Sequence, residues 1–272
     1  MIYHNVAQNS EAWDRLRLGI PTSSEFHRIM CSELGKRYKC SECGAEFDNA
    51  RKTCAACKGA CDVIAVGRKS TQYKGYMHRL LAEWIYDAPL EDPESTLRSP
   101  WMERGHQLEQ EAVSAYELDK NCDTQPGGFV TTDNGMVGCS PDRLVGENGL
   151  LEIKCPSPPV HVGYMVERSV DGAYWPQLQG QLLITGRTHV DIVSYCPCFP
   201  SVIIRVPRDE QYIGFLQDVL VEFVREMMGK RKFLELNYPI REVPKPQAVA
   251  DDPLGVSDAD VDAILAAREV QP

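Results

Sequence analysis

The chain has 272 residues, 43% hydrophobic and 25% charged, enough for one large globular unit or two small ones. No apolar run reaches the roughly 20 residues that span a bilayer, and Met1-Ile-Tyr-His-Asn lacks the basic-then-apolar pattern of a signal peptide. No membrane partner and a cytoplasmic location are therefore expected, where the 11 cysteines suit metal ligands or buried thiols better than disulfides. The net charge of −10 is unevenly spread: residues 1–79 carry 13 Lys/Arg against 8 Asp/Glu, whereas residues 80–272 carry 16 against 31. The first part thus suits either the local basic surface that phosphate contact needs or a solvated charged face without function.

Residues 11–30 read as two short helices, one ending at Gly19 and one starting after Thr22-Ser23-Ser24, whose hydroxyls suit an N-cap. A helix start with free amides is an anion site, and Arg17 offers a bidentate phosphate contact. Routine capping and a surface arginine are the plain alternative. Residues 36–62 read as an insertion in which Cys40-x-x-Cys43 precedes Cys54-x-x-Cys57, the spacing of a two-knuckle tetrahedral zinc ribbon. Bound zinc would fold a piece too small to bury its own core. Its basic residues Lys36, Arg37, Lys39, Arg51, Lys52 and Lys58 suit contact with DNA or a protein as well as they suit a simple staple, and Cys31 and Cys61 stand nearby as substitute ligands.

Helical periodicity runs over 71–86, followed by an acidic, Pro-rich loop over 87–100 and a second helix over 102–119. Glu109 borders the apolar face of that helix, where a metal or a basic partner would offset the cost of burying a carboxylate; the alternative places it at the solvent edge of the stripe. Residues 138–156 read as a β-hairpin turning at Gly-Glu-Asn-Gly, with Asn148-Gly149 at positive φ. Period-two alternation puts Glu152 and Lys154 on one face above an apolar floor of Leu151, Ile153 and Cys155. An odd-numbered loop brings Asp142 across from Glu152 on that same face. Two carboxylates suit a hard divalent cation, Mg²⁺ or alternatively Mn²⁺, and Lys154 can orient water or stabilise developing charge there.

Residues 172–186 read as a helix with Pro176 in its first turn and Gly186 at its stop. Leu178 and Leu182 point inward, while Gln177 and Gln181 share another face, either for hydrogen bonding or simply in solvent. Strands are expected over 190–195 and 201–206, joined by a Cys196-Pro-Cys198 turn with buried thiols. A long amphipathic helix follows over 209–233, then a Pro-rich linker over 238–253 and a short acidic helix over 257–268. The expected domains are a unit over 1–237, interrupted by 36–62, and a separate tail over 238–272.

The ordered set Trp13-x-x-Leu-Arg17, Thr22-x-Ser24-Glu25, Gly105-x-x-Leu-Glu109-x-x-Ala112, Gly138-Cys-Ser-Pro-Asp142, Leu151-Glu152-Ile-Lys154-Cys-Pro and Gln177-x-Gln179 resembles the phage lambda exonuclease family, also called YqaJ viral recombinases. Pro141-Asp142 with Glu152-Ile153-Lys154 resembles the wider Pro-Asp…Asp/Glu-x-Lys nuclease signature. The resemblance implies an α/β fold, a central mixed sheet flanked by helices. It also implies a Mg²⁺-dependent exonuclease that digests one strand of duplex DNA from its 5′ end and leaves a 3′ overhang for a single-strand annealing protein. It further implies a homotrimeric ring, in the host cytoplasm if the chain is phage-encoded. In its terms Asp142, Glu152 and the Ile153 carbonyl hold metal with Glu109 nearby, and Lys154 stands at the attacking water. Arg17, Ser24, Ser140 and Gln177 match the 5′-phosphate pocket, and Met102 falls at the apolar wedge. The chain departs from the pattern in its cysteine-rich insertion, in Gln181 where related nucleases carry Tyr, and in its acidic C-terminal extension. An iron–sulfur repair-type nuclease of the same superfold and a non-catalytic DNA-end adaptor are the alternatives.

Overall fold

The computed structural model describes residues 1–30, 32–47, 53–90 and 100–238. Cys31, Arg51, Lys52, the middle of the acidic loop and nearly all of the expected linker and acidic helix lie outside the described residues, as do the side chains of Lys36, Arg37, Lys39 and Met102. The elements in order are β1 (Ile2–His4), α1 (Glu11–Arg17), a 3₁₀ turn (Ser23–Glu25), α2 (Phe26–Met30), β2 (Ser32–Cys40), β3 (Glu46–Phe47), β4 (Cys61–Lys69), α3 (Thr71–Tyr86) and α4 (Pro100–Lys120). There follow β5 (Thr124–Pro126), β6 (Phe129–Thr131), β7 (Gly138–Cys139), β8 (Arg143–Val145), β9 (Gly149–Lys154), α5 (Pro158–Glu167), a second 3₁₀ turn (Gly172–Tyr174), α6 (Trp175–Thr185), β10 (His189–Ser194), β11 (Val202–Pro207) and α7 (Glu210–Asn237).

The central sheet has the order β11-β10-β9-β8-β5. Strands β9 and β10 are parallel, while β8–β9, β5–β8 and β10–β11 are antiparallel, so the sheet is mixed. A parallel pair needs a crossover, and α5 and α6 provide it between β9 and β10. Residues in β9 are buried on both faces, as a strand covered on two sides requires. Leu151 and Ile153 pack with Ala112, Val113 and Tyr116 of α4. Leu150 packs on the opposite side with Leu178, Leu182 and Ile213 of α6 and α7. Truncating a fully buried leucine such as Leu150 or Leu151 to alanine costs about 2–5 kcal/mol, so this strand is fixed firmly between two layers.

A second sheet, β1-β6-β7, lies beside a core built from α2, α3 and α7 around Phe26, Tyr76, Leu80, Leu220 and Phe223. Gly180 of α6 brings this core against the central one: a Cβ there would stand 2.5 Å from the Phe26 ring. The third sheet, β3-β2-β4, is antiparallel and pairs Cys40 with Cys61. Among the described residues no helix is long and apolar enough to cross a membrane.

Candidate active site

The first arm of the expected hairpin, which runs through Asp142, is two strands. Gly138 and Cys139 pair with Thr131 and Val130 in the second sheet, whereas Arg143 to Val145 pair with Leu151 to Gly149 in the central one. Pro141 has no amide hydrogen to give a ladder, so Ser140-Pro141-Asp142 becomes the crossing between sheets. The pairing leaves Gly146, Glu147 and Asn148 as an odd-numbered loop, and the register carried one step further sets Asp142 opposite Glu152. The turn differs from expectation: Gly146, not Asn148 or Gly149, takes the positive φ of 51°. Gly149 is instead a strand residue, small because His189 Nε2 lies 2.7 Å from where a Cβ would stand.

Asp142 reaches across the hairpin, its carboxylate accepting the Ile153 amide at 2.6 Å. Glu152 is 3% exposed and holds three donors. Lys154 Nζ at 2.7 Å and Gln177 Nε2 at 2.6 Å give to Oε1, and Gln181 Nε2 at 2.7 Å gives to Oε2. Burial first, and then the Glu152 carboxylate, push the Asp142 carboxyl well above the usual carboxylate range, against the pull of Lys154 and the Ile153 amide, and Glu109 adds to the rise. Burial draws the Lys154 ammonium down, but Glu152 and Asp142 more than offset this and hold it above the ordinary lysine value. The ammonium also lies 4.8 Å from the centre of the Tyr174 ring. Glu109 acts on Asp142 through its charge, yet does not join Asp142 and Glu152 in a group of ligand atoms close enough to share one ion.

A cleft of about 160 Å³ joins Asp142, Glu152 and Gln177 to Trp13, Arg17, Ser24 and Ser140. All four residues matched to a phosphate pocket therefore line the cavity that holds both carboxylates. The Arg17 guanidinium stacks 3.9 Å from the Trp13 ring centre and sits 3.5 Å from Thr22 Oγ1. The Trp13 indole donates to Ser140 Oγ at 2.9 Å, and that hydroxyl donates to the Gly128 carbonyl at 2.7 Å, tying α1 to the crossing before Asp142. Ser24 Oγ lies 3.4 Å from Thr22 Oγ1. A larger cavity of about 310 Å³ shares Arg17 and Thr22 as a common wall with this cleft. Its Glu25, Arg28, Arg79 and Glu83 are paired with one another. Met102 lies in α4, and its side chain is outside the described residues.

Tyr174 is not among the site residues expected from the sequence, whereas Gln181 is read there as half of a glutamine row that either hydrogen-bonds phosphate or orients catalytic groups, or faces solvent. Gln181 did carry a signal, being four residues from Gln177 on the same helix row, but a solvated face fitted that spacing equally well. The structure buries it completely. The Cys196-Pro-Cys198 turn also differs in part: Cys196 is buried, while Cys198 is exposed at φ 73°.

The four cysteines of the insertion come together. Cys40, Cys43, Cys54 and Cys57 place their sulfurs within 4.8 Å of one another, with Cys40–Cys57 at 3.4 Å and Cys43–Cys54 at 3.6 Å. A tetrahedral zinc with Zn–S near 2.3 Å needs sulfurs about 3.8 Å apart, so the group could hold one ion, with no room for a multi-iron cluster between the sulfurs. The Cys57 amide hydrogen bond leads in lowering the Cys54 thiol to about 6. Cys57, despite the Gly59 amide, is pushed up to about 12 by the thiols of Cys40 and Cys43. Cys61 stands opposite Cys40 at the strand end and is not one of the four.

The fold is shared with a solved nuclease. The crystal structure of LHK-Exo, an alkaline exonuclease from Laribacter hongkongensis, superposes with a TM-score of 0.64 and 23% identity over 84% of this chain and 97% of that one. LHK-Exo in complex with dAMP gives a TM-score of 0.65 at 23% identity with the same coverage. The YqaJ-like viral recombinase domain matches residues 12–188, and the chain belongs to that family. No curated protein matches it.

Proposed function

We propose that the chain is a metal-dependent deoxyribonuclease that degrades one strand of duplex DNA from its 5′ end and leaves a 3′ overhang for single-strand-annealing recombination. The observation that carries this reading is the single cleft in which Asp142 and Glu152 stand beside Arg17, Ser24, Ser140 and Gln177. A cleavage centre and a set of anion-binding groups in one small cavity fit a terminal phosphate held next to the bond to be broken. LHK-Exo, whose fold this chain shares, holds dAMP, the kind of product such cleavage releases.

The residues present fit Mg²⁺. Two hard carboxylates converge, and one of them is pushed up by burial and by the other, a deficit of positive charge that a divalent cation relieves. Bound Mg²⁺, or Mn²⁺ in its place, would supply Lewis-acid polarisation of the phosphate and acidify the attacking water. Asp142, Glu152 and the Ile153 carbonyl are the residues that would hold it, with Glu109 adding charge behind Asp142. Lys154, kept protonated by both carboxylates, orients the attacking water and stabilises the charge that develops on phosphate oxygens. Arg17, stacked on Trp13, suits the terminal phosphate through its planar donors. Ser24, Ser140 and Gln177 complete that pocket, and Met102 is the wedge against the terminal base pair. Zinc, held by Cys40, Cys43, Cys54 and Cys57, is structural, and the close sulfur spacing favours it over an iron–sulfur cluster. A homotrimeric ring and an annealing partner complete this reading.

Duplexes labelled at either end, with and without a 5′ phosphate, test the proposal. The expected result is Mg²⁺-dependent shortening from the 5′ end, faster on the phosphorylated duplex. Shortening from the 3′ end, or digestion indifferent to added metal, overturns it.

A further inference from the structure

Glu152 is held by two glutamines of one helix, and they hold different oxygens. Gln177, which lines the cleft, donates to Oε1 at 2.6 Å, the oxygen that Lys154 also engages. Gln181 donates to Oε2 at 2.7 Å from a side chain with no exposed surface. Its own Oε1 is buried with no hydrogen-bond partner among the described residues. An unpaired buried acceptor is unfavourable, and methionine or leucine would fill the same space without one. The N–H given to Glu152 is therefore what this position supplies. Charge fixes the amide's orientation, since the reversed amide would set its oxygen against a carboxylate oxygen.

We infer that Gln181 is a positioning residue that pins the Glu152 carboxylate through Oε2 and so fixes the direction in which Oε1 is presented to a divalent cation. Gln177 and Lys154 are then the partners of Oε1 that give way. The inference rests on the metal-dependent reading proposed above. The terminal torsion of a glutamate is broad and two-fold, so an unpinned carboxylate samples many orientations. Pinning one oxygen removes that freedom at the ligand itself. Groups that hydrogen-bond a metal ligand change affinity by about 10–100-fold when removed.

The test uses the full chain without DNA and Mn²⁺ as the probe, its binding followed by electron paramagnetic resonance. Gln181→Met is expected to weaken Mn²⁺ binding about tenfold or more, with circular dichroism and the zinc content unchanged, whereas Gln177→Met changes it by less than about threefold. Folded Gln181→Met that binds Mn²⁺ within about twofold of the native chain overturns the inference. Should that variant not fold, Gln181→Asn, which draws the amide back by one methylene, decides by the same criterion. Glu152→Gln separates the two levels of the argument. If it binds Mn²⁺ as the native chain does, the metal-centre reading itself fails; if it loses Mn²⁺ while the Gln181 variants keep it, only the role of Gln181 fails.

Discussion

The Asp142 carboxylate accepts the main-chain amide of Ile153, the residue between Glu152 and Lys154, at 2.6 Å. This bond ties the crossing between two sheets to the middle of β9, so one carboxylate is anchored to the backbone that presents the other. Asp142→Asn keeps an oxygen for the amide but removes the charge. Because folding pushes the Asp142 carboxyl up, the native chain keeps a proton there that the unfolded chain has already released. The stability from this group is full in acid and is lost as pH rises from the ordinary aspartate range through the raised folded value. In metal-free buffer without chelator, Asp142→Asn should therefore melt above the native chain at about pH 8, with the advantage shrinking towards about pH 5. Added Mg²⁺ should raise the native melting temperature and leave the variant unmoved. A variant advantage that grows towards acid would contradict the assignment.

Lys154 sits 2.7 Å from Glu152 Oε1 and faces the Tyr174 ring. Lys154→Met should lower Mg²⁺-dependent digestion by about 10²–10⁴-fold. Glu152 still keeps both glutamine donors, so the fold should survive and duplex binding should persist in a gel-shift assay. Digestion at the native rate would refute the role given to this lysine.

Gly19 takes φ +63°, and a Cβ there would stand 2.8 Å from an Arg231 guanidinium nitrogen and 3.1 Å from the Leu80 carbonyl. Its own carbonyl accepts from buried Arg231, whose guanidinium lies 5.1 Å from the Trp84 ring centre. Gly19→Ala should destabilise the chain by about 1–3 kcal/mol in urea titrations. Since Arg17 lies two residues earlier, the same variant should lose several-fold of the preference for 5′-phosphorylated over 5′-hydroxyl duplexes. An undisturbed preference would show that Arg17 is positioned without this loop.

The sulfurs of Cys40, Cys43, Cys54 and Cys57 lie within 4.8 Å of one another, close enough to share one ion. Elemental analysis should find one zinc per chain, falling to near zero in Cys54→Ser. Iron with visible absorbance in place of zinc would reverse the assignment.

Much of this chain is local and so legible in order of residues. Helix α3 occupies the span that its apolar period marks, Thr71–Tyr86, and the knuckle spacing of the four cysteines anticipates their meeting. Period-two alternation puts Glu152 beside Lys154, and loop parity alone sets Asp142 across from Glu152. The start of helix α5 is likewise local, with Ser157 at its N-cap and Pro158 and Pro159 in its first turn.

Other features depend on which distant surfaces pack together. The division of the run around Asp142 between two sheets follows from the pairing of its first part with β6, and the burial of Gln181 follows from α6 being covered on nearly every side. Arg231 meets Gly19 from 212 residues away. Periodicity and spacing register only neighbours along the chain, so the sequence by itself determined which residues share a face of β9 and which cysteines form knuckles. Tertiary packing decided which oxygen of Glu152 each donor takes, because that choice is made by helices brought to the sheet by burial of their apolar sides.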